Sequence, residues 1–128
     1  MHAKPTGIQW AGIALIVVTG AIHFVDAPSS LEDARYKGLL FVANGVAALV
    51  AAVGIYRGSR SWGWGLGLLV AGGALVGYVI SRTVGLPGLE PDVWLEPLGV
   101  LSLVVEAAFI LVFLRAWRMP SSPPSGVE

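Results

Sequence analysis

Charged residues divide the chain into four long apolar stretches, which cover residues 5–22, 38–56, 61–81 and 97–114. Each stretch is 18 to 21 residues long, and only the fourth contains an acid, Glu106. An α-helix of about 20 residues crosses the hydrocarbon core of a bilayer, where an unpaired backbone amide costs several kcal/mol. The pattern therefore predicts four membrane-spanning helices, over about residues 7–26, 37–57, 61–82 and 94–115.

Short connections between these spans predict that successive helices are antiparallel neighbours. We therefore expect an all-α integral membrane four-helix bundle with up-down-up-down topology in residues 1–118. The segment around Pro28 is expected to end helix one, and Ser30 with Asp33 resembles the N-cap pattern of a short surface helix. Residues 85–92 are rich in Gly and Pro and predict a loop outside the hydrocarbon. The Pro- and Ser-rich residues 119–128 predict a disordered tail.

The composition supports a membrane protein, with 55% hydrophobic residues, 12% charged residues and a mean hydropathy of +0.76. A chain of 128 residues with so little polar surface has no room for a soluble catalytic domain. Its formal net charge of zero gives no electrostatic attraction for nucleic acid. The chain has no Cys, and His23 is the one His within a span. We therefore expect no metal site and no haem or other cofactor.

Basic residues are more numerous at the end of the predicted bundle that carries the termini. Five lie at that end and three at the other: Lys4, Arg57, Arg60, Arg115 and Arg118 against Arg35, Lys37 and Arg82. Because Lys and Arg are retained in the cytoplasm, this bias predicts a multi-pass plasma-membrane protein with both termini cytoplasmic. We expect helix one to be retained rather than cleaved as a signal peptide, since its apolar run exceeds a usual h-region.

Helix three contains two pairs of glycines spaced four residues apart, Gly63 with Gly67 and Gly73 with Gly77. In lipid, helices gain stability by approaching closely where side chains are small. The four glycines are therefore predicted to pack helices. The pattern is compatible with packing inside the bundle and with binding of a membrane protein partner or a second copy of the chain.

Glu106 is the most informative polar residue, because a charged group at the centre of a spanning helix costs about 2.5–3.5 kcal/mol on insertion scales. Counting about 1.5 Å per residue from Val93 places it roughly 20 Å below the outer boundary. Ser102 lies one turn above it on the same helix face. Because a buried carboxyl is a costly way to join two helices, we expect Glu106 to be functional.

Further polar residues are expected to form a column that leads from the outer face towards Glu106. His23, Asp26, Arg82 and Glu96 form its mouth, and Thr19, Asn44 and Ser102 follow below. We expect no direct contact between His23 and Glu106. A structural role is the alternative for several members: Asn44 and Thr19 as interhelical hydrogen-bonding groups, His23 as an interfacial residue bonded to Asp26, and Arg82 as an ion-pair partner of Glu96 or Asp92.

The run Ser81-Arg82-Thr83-Val84-Gly85-Leu86-Pro87 follows helix three, and Glu96-Pro97-Leu98-Gly99 opens helix four. With Glu106 and His23, these motifs resemble a group of small four-span bacterial membrane proteins, frequent in actinobacteria. The resemblance covers roughly residues 8–115. It implies the four-span fold and the recurrent positions His23, Arg82, Glu96 and Glu106, and it implies no reaction.

Three hypotheses for the function follow. The first is a non-enzymatic accessory or partner-binding subunit of a membrane complex with an outward-facing polar pocket, because the chain has little mass outside the membrane and no complete catalytic set. The second is a small-solute or proton-coupled transporter that uses Glu106. The third is a redox or lipid-modifying membrane enzyme with His23 and Arg82 at the outer mouth.

Overall fold

A computed structural model describes residues 4–118, which form four α-helices. The helices are α1 (Gly7–Asp33), α2 (Arg35–Tyr56), α3 (Trp62–Arg82) and α4 (Pro97–Arg118). All four are long and apolar enough to cross a membrane, so the chain is a multi-pass membrane protein. The predicted all-α bundle is confirmed. The predicted disordered tail, residues 119–128, lies outside the described residues.

Each helix packs antiparallel against its neighbours in the chain, and α1 also packs against α4, which closes a ring of four. Residues Gly7 and Arg118 consequently lie at the same end of the bundle, which we call the terminal end. The opposite end carries Ala34 and the α3–α4 segment 83–96, and we call it the cavity end. The cytoplasmic placement of the terminal end stays a prediction.

The predicted end of helix one at Pro28 is wrong, because α1 continues through Pro28 to Asp33. Proline lacks the N–H that would bond to the carbonyl of Phe24, and helices tolerate this loss where water can hydrate the carbonyl. The predicted short surface helix does not form as a separate element. Ala34 alone, in an extended conformation, separates α1 from α2, and its N–H donates to the carbonyl oxygen of Ser30 at 3.0 Å.

The start of α1 is fixed by a capping box that also holds α1 to α2. The Thr6 hydroxyl accepts from the Gln9 N–H at 3.2 Å, and Gln9 Oε1 accepts from the Thr6 N–H at 2.8 Å. The Gln9 amide group then donates to the carbonyl oxygen of Ile55 at 3.1 Å. One polar side chain therefore satisfies backbone groups at the terminal ends of two helices.

The half of the bundle near the terminal end is densely packed. Trp64 lies across the centre and stacks on Phe109 with ring centroids 5.7 Å apart, while Ile16 and Ile55 fill the space around them. A Cβ built on Gly63 would lie 2.5 Å from the carbonyl carbon of Gly54, so these two helices touch through their backbones. The polar side chains of the candidate site lie in the other half of the bundle.

Candidate functional site

A cavity of about 380 Å³ occupies the half of the bundle near the cavity end. Its walls come from all four helices and from the segment between α3 and α4. The polar lining residues are His23, Asp26, Ser29, Ser30, Asp33, Lys37, Asn44, Tyr78, Ser81, Arg82, Asp92, Glu96, Ser102 and Glu106. The structure thus brings together all six predicted pocket residues: His23, Asn44, Arg82, Glu96, Ser102 and Glu106. Their binding of a ligand stays a prediction.

Glu106 lies at the deep end of this cavity, with only 1% of its surface exposed. The Ser102 hydroxyl lies within hydrogen-bonding distance of both carboxyl oxygens, at 2.9 and 3.0 Å. Within residues 4–118, no Lys, Arg or His forms an ion pair with this carboxyl group. The most deeply buried acid of the cavity therefore has a hydroxyl partner and no protein cation.

The predicted depth of Glu106 assumes a helix from Val93, whereas α4 begins at Pro97. At about 1.5 Å per residue, Glu106 lies about 14 Å from the start of α4. This distance places it near the middle of the helix and within reach of a solute that occupies the cavity. Its depth below the outer membrane boundary stays a prediction.

His23 forms part of the cavity wall, and a hydrogen bond within α1 orients its ring. Its Nδ1 lies 2.7 Å from the carbonyl oxygen of Thr19, an acceptor, so Nδ1 carries the donated hydrogen and Nε2 is the acceptor in the neutral ring. The ring packs against Phe41 at 5.1 Å between centroids. The alternative bond to Asp26 is not formed. The structure records no hydrogen bond or ion pair between His23 and Glu106.

Asn44 joins α2 to α3, because its amide Nδ2 donates to the carbonyl oxygen of Val70 at 3.2 Å. Its Oδ1 is the one buried side-chain nitrogen or oxygen atom within residues 4–118 that has no hydrogen-bond partner. A buried acceptor without a donor is costly. Asn44 therefore combines the predicted structural role with an unused acceptor in a residue that lines the cavity.

Thr19 does not lie in the polar column, where the sequence predicts it. Its hydroxyl donates to the carbonyl oxygen of Leu15 at 2.9 Å within α1, and its side chain is buried away from the cavity lining. In a spanning helix this bond satisfies the hydroxyl locally. Thr19 therefore orients His23 through its carbonyl group and does not belong to the polar column.

Arg82 fixes the segment between α3 and α4. Its Nη2 forms an ion pair with Glu96 Oε2 at 3.0 Å, and its Nε donates to the carbonyl oxygen of Val93 at 3.1 Å. The guanidinium also lies 4.0 Å from the centroid of the Tyr78 ring, and Nη1 donates to Ser81 at 2.7 Å. The predicted ion pair between Arg82 and Glu96 therefore exists and closes the seam between α3 and α4.

The segment 83–96 lies across the cavity end as an ordered strap. The Tyr36 hydroxyl on α2 donates to the carbonyl oxygen of Pro87 at 2.5 Å, and the Asp92 N–H donates to the carbonyl oxygen of Ser81 at 2.8 Å. Gly85 turns the chain with φ +85°. Sequence analysis missed the Tyr36 contact, and no local pattern in the sequence could have indicated a bond over 51 positions.

The two glycine pairs of α3 have different surroundings. Gly63 touches the backbone of α2 and Gly67 touches Phe109 of α4, which confirms close packing at these two positions inside the chain. Gly73 and Gly77 line the cavity, and no atom lies within 4 Å of a Cβ built on either. The packing role predicted for this second pair is therefore not found within the chain.

Carboxyl groups outnumber Lys and Arg side chains around the cavity. Five carboxyl groups line it against two basic side chains, Lys37 and Arg82. These two form ion pairs with Asp33 at 2.7 Å and with Glu96 at 3.0 Å. The remaining carboxyl groups belong to Asp26, Asp92 and Glu106, which have no ion-pair partner within the described part of the chain.

No protein-family model, curated protein or solved structure matches the chain. The resemblance to small four-span bacterial proteins stays a prediction. Within residues 4–118, no three His, Asp or Glu side chains cluster in a way that could hold a metal ion.

Proposed function

We propose that this membrane protein binds a small solute that carries a protonated amine, with Glu106 as the residue that accepts its charge. The observation that carries the proposal is the isolated carboxyl group at the deep end of the cavity, 1% exposed and without a protein cation. An ionised carboxyl group in a membrane interior is stabilised by a counter-ion. A bound ammonium group supplies that charge.

The other acceptors of the cavity support an ammonium group rather than a bare metal ion. An ammonium group donates up to three hydrogen bonds, Asn44 Oδ1 has no donor in the structure, and Nε2 of the neutral His23 ring is an acceptor. Calcium prefers six to eight oxygen ligands in one cluster. The separate acceptors of this cavity fit an organic cation better.

This proposal develops the second sequence hypothesis, a solute carrier that uses Glu106. The first hypothesis, a partner-binding subunit, relied on the small mass outside the membrane, on the lack of a complete catalytic set and on the glycine face of α3. Gly63 and Gly67 are covered inside the chain, and Gly73 and Gly77 face the cavity. The cavity therefore supports solute binding more directly than it supports an accessory subunit.

Calorimetric titration of the purified protein in lipid nanodiscs with methylammonium chloride tests the proposal. We expect saturable binding, which Glu106→Gln weakens about 10- to 100-fold because a charged hydrogen bond becomes a neutral one. The variant keeps an acceptor for Ser102, so its thermal unfolding should change little.

Glu32→Gln is the matched control, since Glu32 is an exposed acid on α1 that does not line the cavity. Its affinity for methylammonium should equal that of the unchanged protein. Sodium chloride at the same ionic strength should give no comparable heat. If Glu106→Gln binds methylammonium as tightly as the unchanged protein, the proposed role of Glu106 is wrong.

A further inference from the structure

The contact between α2 and α3 is close at the terminal end and open at the cavity end. Gly54 and Gly63 touch through their backbones, and Asn44 still reaches Val70 in the middle of the two helices. Beyond this hydrogen bond, a Cβ on Gly73 or Gly77 would meet nothing within 4 Å. The two helices therefore diverge on the cavity side of Asn44.

Two other seams of the bundle are closed in the same half. Between α1 and α2, a Cβ on Gly45 would lie 2.7 Å from the Phe24 ring, and one on Gly38 would lie 2.2 Å from Leu31. Between α3 and α4, a Cβ on Gly99 would lie 2.9 Å from the Tyr78 ring. The α1–α2 and α3–α4 contacts therefore remain close in the half where α2 and α3 diverge.

Residues beside the gap line the cavity and also reach the outer surface of the bundle. Leu40 lines the cavity and is 61% exposed, and Gly73 is also exposed. Phe41 and Ala74 add apolar groups to the lining. At about 1.5 Å per residue, Gly77 and Gly73 lie about 8 and 14 Å from Arg82 along α3, within one leaflet of a bilayer.

The strap of residues 83–96 covers part of the alternative route from water, while Asp33, which also lines the cavity, is half-exposed. Leu86 of the strap lines the cavity, and the backbone of the strap is bonded to Tyr36 of α2 and to Ser81 of α3. A ligand that enters from water would have to withdraw its hydrocarbon chain from the bilayer. Through the gap, its chain can stay among lipid chains.

We propose that the gap between α2 and α3 seats the hydrocarbon chain of an amphiphilic amine, whose ammonium group binds at Glu106 inside the cavity. The inference rests on the proposed function and adds the class of ligand, a single-chain alkylammonium compound, and its lateral route. Leu40 and Gly77 bound the passage for the chain. Glu106 and Asn44 supply acceptors for the head group.

The test compares octylammonium with methylammonium in calorimetric titrations of the protein in nanodiscs, with empty nanodiscs as the partition blank. Gly77→Leu fills the gap with a side chain that meets no protein atom at its Cβ. We expect it to weaken octylammonium binding at least about tenfold more than it weakens methylammonium binding, because the new side chain occupies the seat of the alkyl chain.

Gly72→Leu is the matched control, because Gly72 also has open space at its Cβ but does not line the cavity. It should leave the affinity for both amines unchanged. The lateral seat is refuted if Gly77→Leu leaves octylammonium binding intact, or if it weakens both amines equally. The proposed function fails separately, when methylammonium does not bind or when Glu106→Gln does not weaken it.

Discussion

Alanine at Gly63 and alanine at Gly73 should change the stability of the bundle in opposite directions. Gly73 lies in the interior of α3, where alanine is favoured over glycine by about 0.8–1 kcal/mol, and Gly63 lies in its first turn, where this gain is smaller. The larger difference between the two positions lies in their surroundings. The pair therefore tests mainly the effect of helix packing.

The magnitude follows from the space at each Cβ. At Gly63 the new methyl group would lie 2.5 Å from the carbonyl carbon of Gly54 and 2.6 Å from the nitrogen of Ile55. These are backbone atoms, so α2 and α3 must separate, and overpacking costs about 1–3 kcal/mol before the propensity gain. At Gly73 no atom lies within 4 Å, and the propensity gain remains. We expect a difference of about 2 kcal/mol between the two variants.

Unfolding of each variant in mixed detergent micelles, followed by far-UV circular dichroism over a series of SDS fractions, measures this difference. Gly63→Ala should unfold at a lower SDS fraction than the unchanged protein, and Gly73→Ala at an equal or higher one. If Gly73→Ala destabilises the protein as strongly as Gly63→Ala, Gly73 is packed against something, and the open gap described above does not exist.

Two further substitutions test the dense half of the bundle and the strap. Phe109 has no exposed surface, and Phe109→Ala removes the partner of Trp64, so it should lower the free energy of unfolding by about 3–5 kcal/mol in the same detergent assay. A loss below about 1 kcal/mol would contradict the described core. Gly85→Ala should speed amide hydrogen exchange in residues 83–96 more than Gly88→Ala does. Both glycines have positive φ, but only a Cβ on Gly85 would also lie 2.6 Å from the carbonyl oxygen of Leu89. Equal exchange in the two variants would show that the space beside Leu89 does not determine the stability of the strap.

The four helices could be predicted because a bilayer leaves few choices for apolar stretches of this length. The errors in the predicted helices lie at helix ends. Pro28 signals a helix end in sequence, yet α1 continues to Asp33, since the lost hydrogen bond is tolerable where water is near. The Thr6 capping box was overlooked although its Thr-x-x-Gln pattern is visible in the sequence.

The membership of the polar column could be predicted in large part, because polar groups in spanning helices avoid lipid and converge. Thr19 was placed in it wrongly, since a threonine can satisfy its hydroxyl on its own helix, as it does at Leu15. The strap contact between Tyr36 and Pro87 depends on tertiary distance alone. The surroundings of Gly73 and Gly77 were equally hidden, because the same spacing of glycines occurs at a tight crossing and beside a cavity.

The two halves of the bundle therefore use the same residue type for opposite purposes. At Gly63 the missing side chain lets two backbones touch and fixes the angle between α2 and α3. At Gly77 the missing side chain leaves the space that this divergence creates unfilled. Stability in proteins is not uniform, and binding regions are drawn from the less stable parts. The dense half of the bundle and the hollow half that contains the cavity both follow from this one division of α3.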